Sequence, residues 1–354
     1  MIPYDYSFRD DYSEGCHPNI LYALEETSLV QQVGYGNDAY STEAKAAIAK
    51  LVPDCDADIH FVSGGTQANL VVIAAALKPY QSVISAQTGH INGHEAGAIE
   101  ATGHRVEVVH TTDGKVTVER LAPVVAQLGN ANSTQPGMVY LSNTTELGTV
   151  YDKTELTALS TFCRAQGWYL FLDGARLPAA LTATGNDLTL ADIARLTDAF
   201  SIGGTKNGGL FGEVLVMVHP ELRSGFGYHL KQRGALLAKG RVLGLQFREL
   251  FRDNLIFELA ARANTRAQAI AQTFKQLGYP FLAPPCSNQL FPILPNRVID
   301  KLAEKYLFHT WQQIDPEHAA IRLVTSWATP EVACTRFVSE LERLSTGEVG
   351  HREI

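Results

Sequence analysis

Cysteine is sparse and spread out in this chain. Its five cysteines, Cys16, Cys55, Cys163, Cys286 and Cys334, are odd in number and contain no C-x-x-C pair. That spacing excludes a zinc knuckle or a C-x-x-C redox couple and predicts mostly buried free thiols in a reducing compartment. No apolar run approaches the roughly 20 residues that cross a bilayer. The opening Met1-Ile2-Pro3-Tyr4-Asp5-Tyr6 lacks the basic and apolar regions of a signal peptide, so a cytoplasmic protein with no membrane partner is expected. Basic charge is in deficit, 29 Lys and Arg against 37 Asp and Glu for a net charge of −8, which argues against nucleic acid as a partner. Internal repeats and low-complexity stretches are missing too. What remains is a 354-residue chain, 45% hydrophobic and 19% charged, with the composition of a globular protein. That length suits two domains, or one large α/β domain with a smaller appendage.

The most informative stretch runs from Trp168 to Lys206. The apolar run Trp168-Tyr169-Leu170-Phe171-Leu172 reads as a buried strand and stops at Asp173-Gly174-Ala175-Arg176. A second run, Asp198-Ala199-Phe200-Ser201-Ile202, empties into Gly203-Gly204-Thr205-Lys206-Asn207-Gly208-Gly209. In an open α/β sheet, ligands bind at the carboxyl ends of the strands, so a carboxylate and a lysine are delivered to one edge. Upstream, Asp58-Ile59-His60-Phe61-Val62 reads as a strand, Ser63-Gly64-Gly65-Thr66 as a turn and Leu70 to Leu77 as a helix. Backbone N–H groups at such a junction form an anion site, although a simple cap with a tight turn reads equally well from these residues alone. His90 follows the strand-like Ser82 to Ala86 on the same edge. His90 and His94 are four apart, but H-x-x-x-H-E is not the H-E-x-x-H of zinc proteases, and no metal is expected. Gly204-Thr205-Lys206-Asn207 lacks the G-x-x-x-x-G-K-[ST] spacing of a nucleotide loop.

Taken together, Asp173-Gly174-Ala175-Arg176, Thr205-Lys206, Gly65-Thr66 and His90-Ile91 with Glu95-Ala96-Gly97 resemble the L-threonine aldolases, in the β-eliminating lyase group of fold-type I pyridoxal-phosphate enzymes. The resemblance covers roughly residues 8 to 340. It implies pyridoxal 5′-phosphate as cofactor, Lys206 as the Schiff-base lysine and Asp173 against the pyridine nitrogen, where a buried carboxylate keeps the ring protonated and electron-withdrawing. It further implies Gly65, Thr66 and Thr205 at the cofactor, His90 stacked on its ring or acting as base, Arg322 on the substrate α-carboxylate, and Arg176 as a second carboxylate or cofactor contact. A serine ahead of the His-Pro pair contacts substrate in the family. Counting back from His17-Pro18 places Asp10 there, leaving Ser7 and Ser13 as substitutes. Thr145 falls where the family has a second histidine. Lys231, Arg233 and Lys239 lie where neighbouring subunits contribute basic residues, so a homo-oligomer, dimer or tetramer, with shared active sites is implied.

The expected architecture is α/β, fold-type I PLP-dependent transferase-like, with a mostly parallel seven-stranded sheet between helices and a smaller α+β C-terminal domain. Expected divisions are an arm over 1–20, a large domain over 21–245, a small domain over 246–345 and a tail over 346–354. One long helix is expected from Leu243 to Leu277 and a last one from Pro330 to Leu344. The expected reaction is cleavage of a β-hydroxy-α-amino acid, L-threonine or L-allo-threonine, to glycine and an aldehyde. Another amino-acid lyase, an aminotransferase and a non-catalytic cofactor-binding protein are the competing readings.

Overall fold

The computed structural model describes residues 4–126 and 128–346. Its strands, in chain order, are β1 (Tyr6–Ser7), β2 (Asp58–Val62), β3 (Gln81–Ala86), β4 (Val106–Val109), β5 (Gln135–Ser142), β6 (Tyr169–Asp173), β7 (Ala199–Gly203), β8 (Glu213–Met217), β9 (Gln289–Leu290), β10 (Ile293–Pro295), β11 (Tyr306–Leu307), β12 (His309–Gln313) and β13 (His318–Val324). The expected seven-stranded sheet has the order β2-β8-β7-β6-β5-β3-β4. Only β8 runs against its neighbours, β2 and β7; the other pairs are parallel.

Strands covered on both faces read as continuous apolar runs. The Ala199–Gly203 and Glu213–Met217 strands are buried at every position. Apolar side chains on opposite faces of the sheet, such as Leu170, Leu172 and Phe200 on one side and Tyr140, Phe171 and Leu215 on the other, enter two separate cores. The helices Lys153–Gln166 and Gly65–Ala76 contribute Leu156 and Leu159 to the first core and Ala68, Val71 and Val72 to the second.

The C-terminal part builds its own core around β9, β10, β12 and β13, closed by the last helix, Glu331–Thr346. The N-terminal segment belongs to that core as well. β1 pairs with β11, and Phe8 sits edge-on to Phe337 with ring centroids 5.1 Å apart.

Two expectations need correction. The stretch read as one helix from Leu243 is two, Arg241–Phe251 and Leu255–Gln276. Between them Asp253 and Asn254 adopt φ of 52° and 61°, the left-handed region that these short polar residues tolerate and a helix does not. The last helix, expected to end at Leu344, runs on through Ser345 and Thr346. Residues 347–354 lie outside the described residues. No described helix is long and apolar enough to cross a membrane.

Candidate active site

Parallel strands deliver their exits to one edge, and there β2, β3, β5, β6 and β7 lead Ser63, His90, Ser142, Asp173 and Thr205 into a common space. Because β8 is reversed, its first residue, Glu213, lies at that edge as well. The glycines of the two central motifs allow the turns after β6 and β7 to touch. Gly203 N–H donates to Gly174 O at 2.9 Å, and Gly174 N–H to Ser201 Oγ at 2.8 Å. A Cβ on Gly203 would collide with the Ala175 carbonyl, and one on Gly174 with the Ser201 carbonyl.

Asp173 is buried and fully engaged. Tyr140 Oη and Asn69 Nδ2 donate to its Oδ2 at 2.6 and 3.0 Å, and Ala175 N–H to its Oδ1 at 2.9 Å. Burial pulls its pKa up, yet the Tyr140 hydroxyl, His90, Asn69 and the Ala175 amide together hold it below the ordinary value. Asn69 also donates to Glu95 Oε1 at 2.7 Å, and that same oxygen holds His90 Nδ1 at 2.7 Å. Glu95 thereby fixes the imidazole orientation and keeps the second ring nitrogen available. The His90 backbone N–H donates to Glu146 Oε1 at 2.8 Å, as does Ser142 Oγ at 2.7 Å. Burial raises the pKa of Glu146, with Asp173 adding to it.

Lys206 sits in a cavity of about 250 Å³ lined also by Gly65, Thr66, His90, Asp173 and Glu213. Burial and the neighbouring Arg176 depress its pKa against the pull of Asp11, Glu213 and Asp173. Thr205 Oγ donates to Glu213 Oε1 at 3.1 Å and accepts from Gly212 N–H at 3.0 Å. A second cavity of about 320 Å³ shares Lys206, His90, Glu146 and Arg176, and adds Tyr12, Trp311 and Arg322. Arg322 Nε and Nη2 both donate to Gln289 Oε1, at 3.2 and 2.8 Å. Burial, and then Arg176, lower its pKa to about 10.

Arg176 lines both cavities and is also paired inside the protein. Its Nε and Nη2 form a two-pronged bond with Asp11, 2.6 and 2.9 Å, which holds the Asp11 carboxyl at about 2 despite burial. Ser7 is not brought to the site. It belongs to β1, its hydroxyl accepts from Arg9 N–H at 3.4 Å, and it lines neither cavity. Asp10 faces His309 at 3.6 Å, while Tyr12 reaches the second cavity from the same segment. Thr145 is sealed away against Thr149 at 2.7 Å, and its neighbours Thr144 and Glu146 line the site instead. Lys231, Arg233 and Lys239 line neither cavity.

Sequence reasoning missed Tyr140, Asn69, Asp11, Gln289, Glu146 and Glu213. Glu213 carried a usable signal, a carboxylate opening the apolar run Val214-Leu215-Val216-Met217. Asp11 carried none, because its partner lies 165 residues away.

Comparison with known proteins places this geometry. Residues 12–295 match the family model described as beta-eliminating lyase. The chain is 29% identical over 333 residues to the low specificity L-threonine aldolase of Pseudomonas aeruginosa, spanning 93% of this chain and 95% of that protein. The solved structure of Leishmania major threonine aldolase matches with a TM-score of 0.94 at 47% identity, over 96% of this chain and 99% of that one. A Thermus thermophilus aspartate aminotransferase, 14% identical, shares the fold with a TM-score of 0.71 over 97% of this chain and 92% of its own.

Proposed function

Since the chain belongs to the beta-eliminating lyase family, and within it to the threonine aldolases, we propose that it cleaves L-threonine, L-allo-threonine or a related β-hydroxy-α-amino acid to glycine and an aldehyde. The observation that carries this reading is the convergence of Lys206, a three-fold anchored Asp173 and an uncapped helix start on one cavity. The cavity fits pyridoxal 5′-phosphate. Gly64, Gly65 and Thr66 open the helix Gly65–Ala76 with no side-chain cap, and added Cβ atoms at both glycines would meet nothing within 4 Å, so an anion can approach the amides. When bound, the cofactor supplies an electron sink for the pair released from Cα.

The protein's own groups do the rest. Asp173, held charged by its donors, keeps a proton on the pyridine nitrogen. Lys206, with its ammonium destabilised by burial and Arg176, gives up its proton more readily than an ordinary lysine, which favours the neutral amine needed for nucleophilic attack. Arg322, oriented by Gln289, takes the substrate carboxylate, for which a planar fork is suited. His90, oriented by Glu95, accepts the β-hydroxyl proton at Nε2, so the oxygen can become the aldehyde carbonyl as the Cα–Cβ bond breaks. Cα regains a proton to complete glycine. Arg176 supports the site mainly through Asp11 rather than as a free carboxylate fork.

We extend the proposal to a cytoplasmic homo-oligomer whose subunits share active sites. The five free thiols accord with a reducing compartment. Large apolar side chains at Leu21, Tyr22, Leu29, Val33 and Tyr228 are exposed, Leu29 by 96% and Tyr228 by 83%. A second copy of the chain would cover them.

The deciding experiment incubates the protein and Lys206→Ala with pyridoxal 5′-phosphate and each threonine isomer, following the visible absorbance and the acetaldehyde released. Acetaldehyde from the native chain and none from the variant supports the aldolase reading. A substrate-dependent spectrum without acetaldehyde moves the function to another amino-acid lyase or an aminotransferase.

A further inference from the structure

Glu213 is a carboxyl group that the scheme above does not use. It opens β8 in register with Val62 of β2 on one side and Gly203 of β7 on the other. Those two strands run directly into Ser63-Gly64-Gly65-Thr66 and into Gly204-Thr205-Lys206, so the carboxyl lies between the helix start and the lysine loop. It is 4% exposed and lines the cofactor cavity. Its Oε1 accepts from Thr205, and its Oε2 has no partner. An ionised carboxylate in that place would face an incoming phosphate, like charge against like.

We propose that Glu213 works as a neutral carboxylic acid and donates a hydrogen bond to the cofactor phosphate, completing the cradle begun by the helix Gly65–Ala76. This rests on reading the cavity as the cofactor site. The charged groups acting on Glu213 are Lys206, from its own loop, and Asp173, from β6. The helix Arg241–Phe251 brings the apolar Leu243, Phe247 and Leu250 and the neutral Gln246 against that loop. Burial and Asp173 raise the Glu213 pKa to about 8 against the pull of Lys206. A bound phosphate would strengthen the proton's hold further, because it would bring negative charge beside the carboxyl.

The sign of the pH dependence follows. The phosphate binds the protonated acid, so affinity is fully present below the pKa of the free site and is lost as pH rises through it. The probe is pyridoxine 5′-phosphate, which carries the phosphate but no aldehyde to react with Lys206. Its dissociation constant is measured on full-length protein freed of cofactor, between about pH 7 and 9.5, above the second phosphate ionisation near 6. Native protein should bind roughly tenfold more weakly at the alkaline end. Glu213→Gln, a neutral donor at every pH, should bind with little dependence on pH. Pyridoxine, which lacks the phosphate, should show no loss that depends on Glu213.

A native profile without the alkaline loss overturns the proposal, as does the same loss in the Gln variant or a loss shared by pyridoxine. Failure of pyridoxine 5′-phosphate to bind at all overturns the cofactor reading along with it. Thr205→Val keeps the carboxyl but removes a hydrogen bond that lowers its pKa, so its alkaline loss should move to higher pH. An unmoved break in that variant counts against Glu213 even if Glu213→Gln does not fold.

Discussion

At the scale of single residues, the site separates groups that wait for a ligand from groups already satisfied inside the protein. Arg322 is of the first kind. Its only hydrogen-bond partner among the described residues is the neutral Gln289, and burial beside Arg176 makes its charge costly until an anion arrives. Arg322→Ala should raise KM for threonine roughly 10- to 100-fold, the worth of a charge-assisted hydrogen bond, while the cofactor's visible spectrum is kept. Steady-state kinetics with a spectral titration would check both, and a lost spectrum with unchanged KM would reject the assignment. Arg176 is of the second kind. Its pairing with Asp11 is almost wholly buried, and removing one member strands the other. Asp11→Ala should therefore lower stability by about 3–5 kcal/mol in denaturant titrations, and a change under about 1 kcal/mol would show that water repairs the gap.

At the scale of elements, the two turns carrying Asp173 and Lys206 behave as one part because glycine lets their backbones meet. Gly203→Ala pushes a Cβ into the Ala175 carbonyl, which must shift together with the Asp173 turn. A loss of about 2 kcal/mol or more is expected in thermal unfolding, along with weaker uptake of pyridoxal phosphate. A variant with native stability and uptake would contradict that coupling. The same glycines made this region legible in the sequence, since an apolar run ending in Asp-Gly or Gly-Gly marks both the strand and its exit. His90, Lys206 and the Gly65-Thr66 turn could be placed for the same reason. Less legible was whatever depended on a partner distant in the chain. Nothing near Asp11 points to Arg176, nothing near Tyr140 to Asp173, and choosing among Ser7, Asp10 and Ser13 required knowing that β1 pairs with β11. The helix break at Asp253 and Asn254 was hidden because the apolar periodicity resumes directly beyond it.

At the scale of the whole molecule, acid should weaken the fold in two steps. Burial, aided by Lys45, holds His60 at about 4 against an ordinary 6.5, and its Nε2 has no partner. The unfolded chain takes up a proton there that the folded chain refuses, so stability falls as pH drops from 6.5 towards 4, by about 3 kcal/mol at most. The Asp11 pairing fades lower still, from 3.8 down through about 2. Denaturant titrations at stepped pH should show the first slope in the native chain and not in His60→Phe; an equal slope in both would assign it to other groups. Assembly is testable on the same scale. Leu29→Asp combined with Tyr228→Asp should slow association or yield monomers in analytical ultracentrifugation, and an unchanged sedimentation coefficient would move the contact surface elsewhere. The reversed β8 bears on how such a protein can change over evolution. Strands that exit into helices can absorb an inserted residue along a crossover, but the segment from Gly204 to Gly212 is pinned at both ends by neighbouring strands. Lengthening it would displace Lys206 itself, so new specificities should arise by insertions in the other connections while the spacing of this one stays constant.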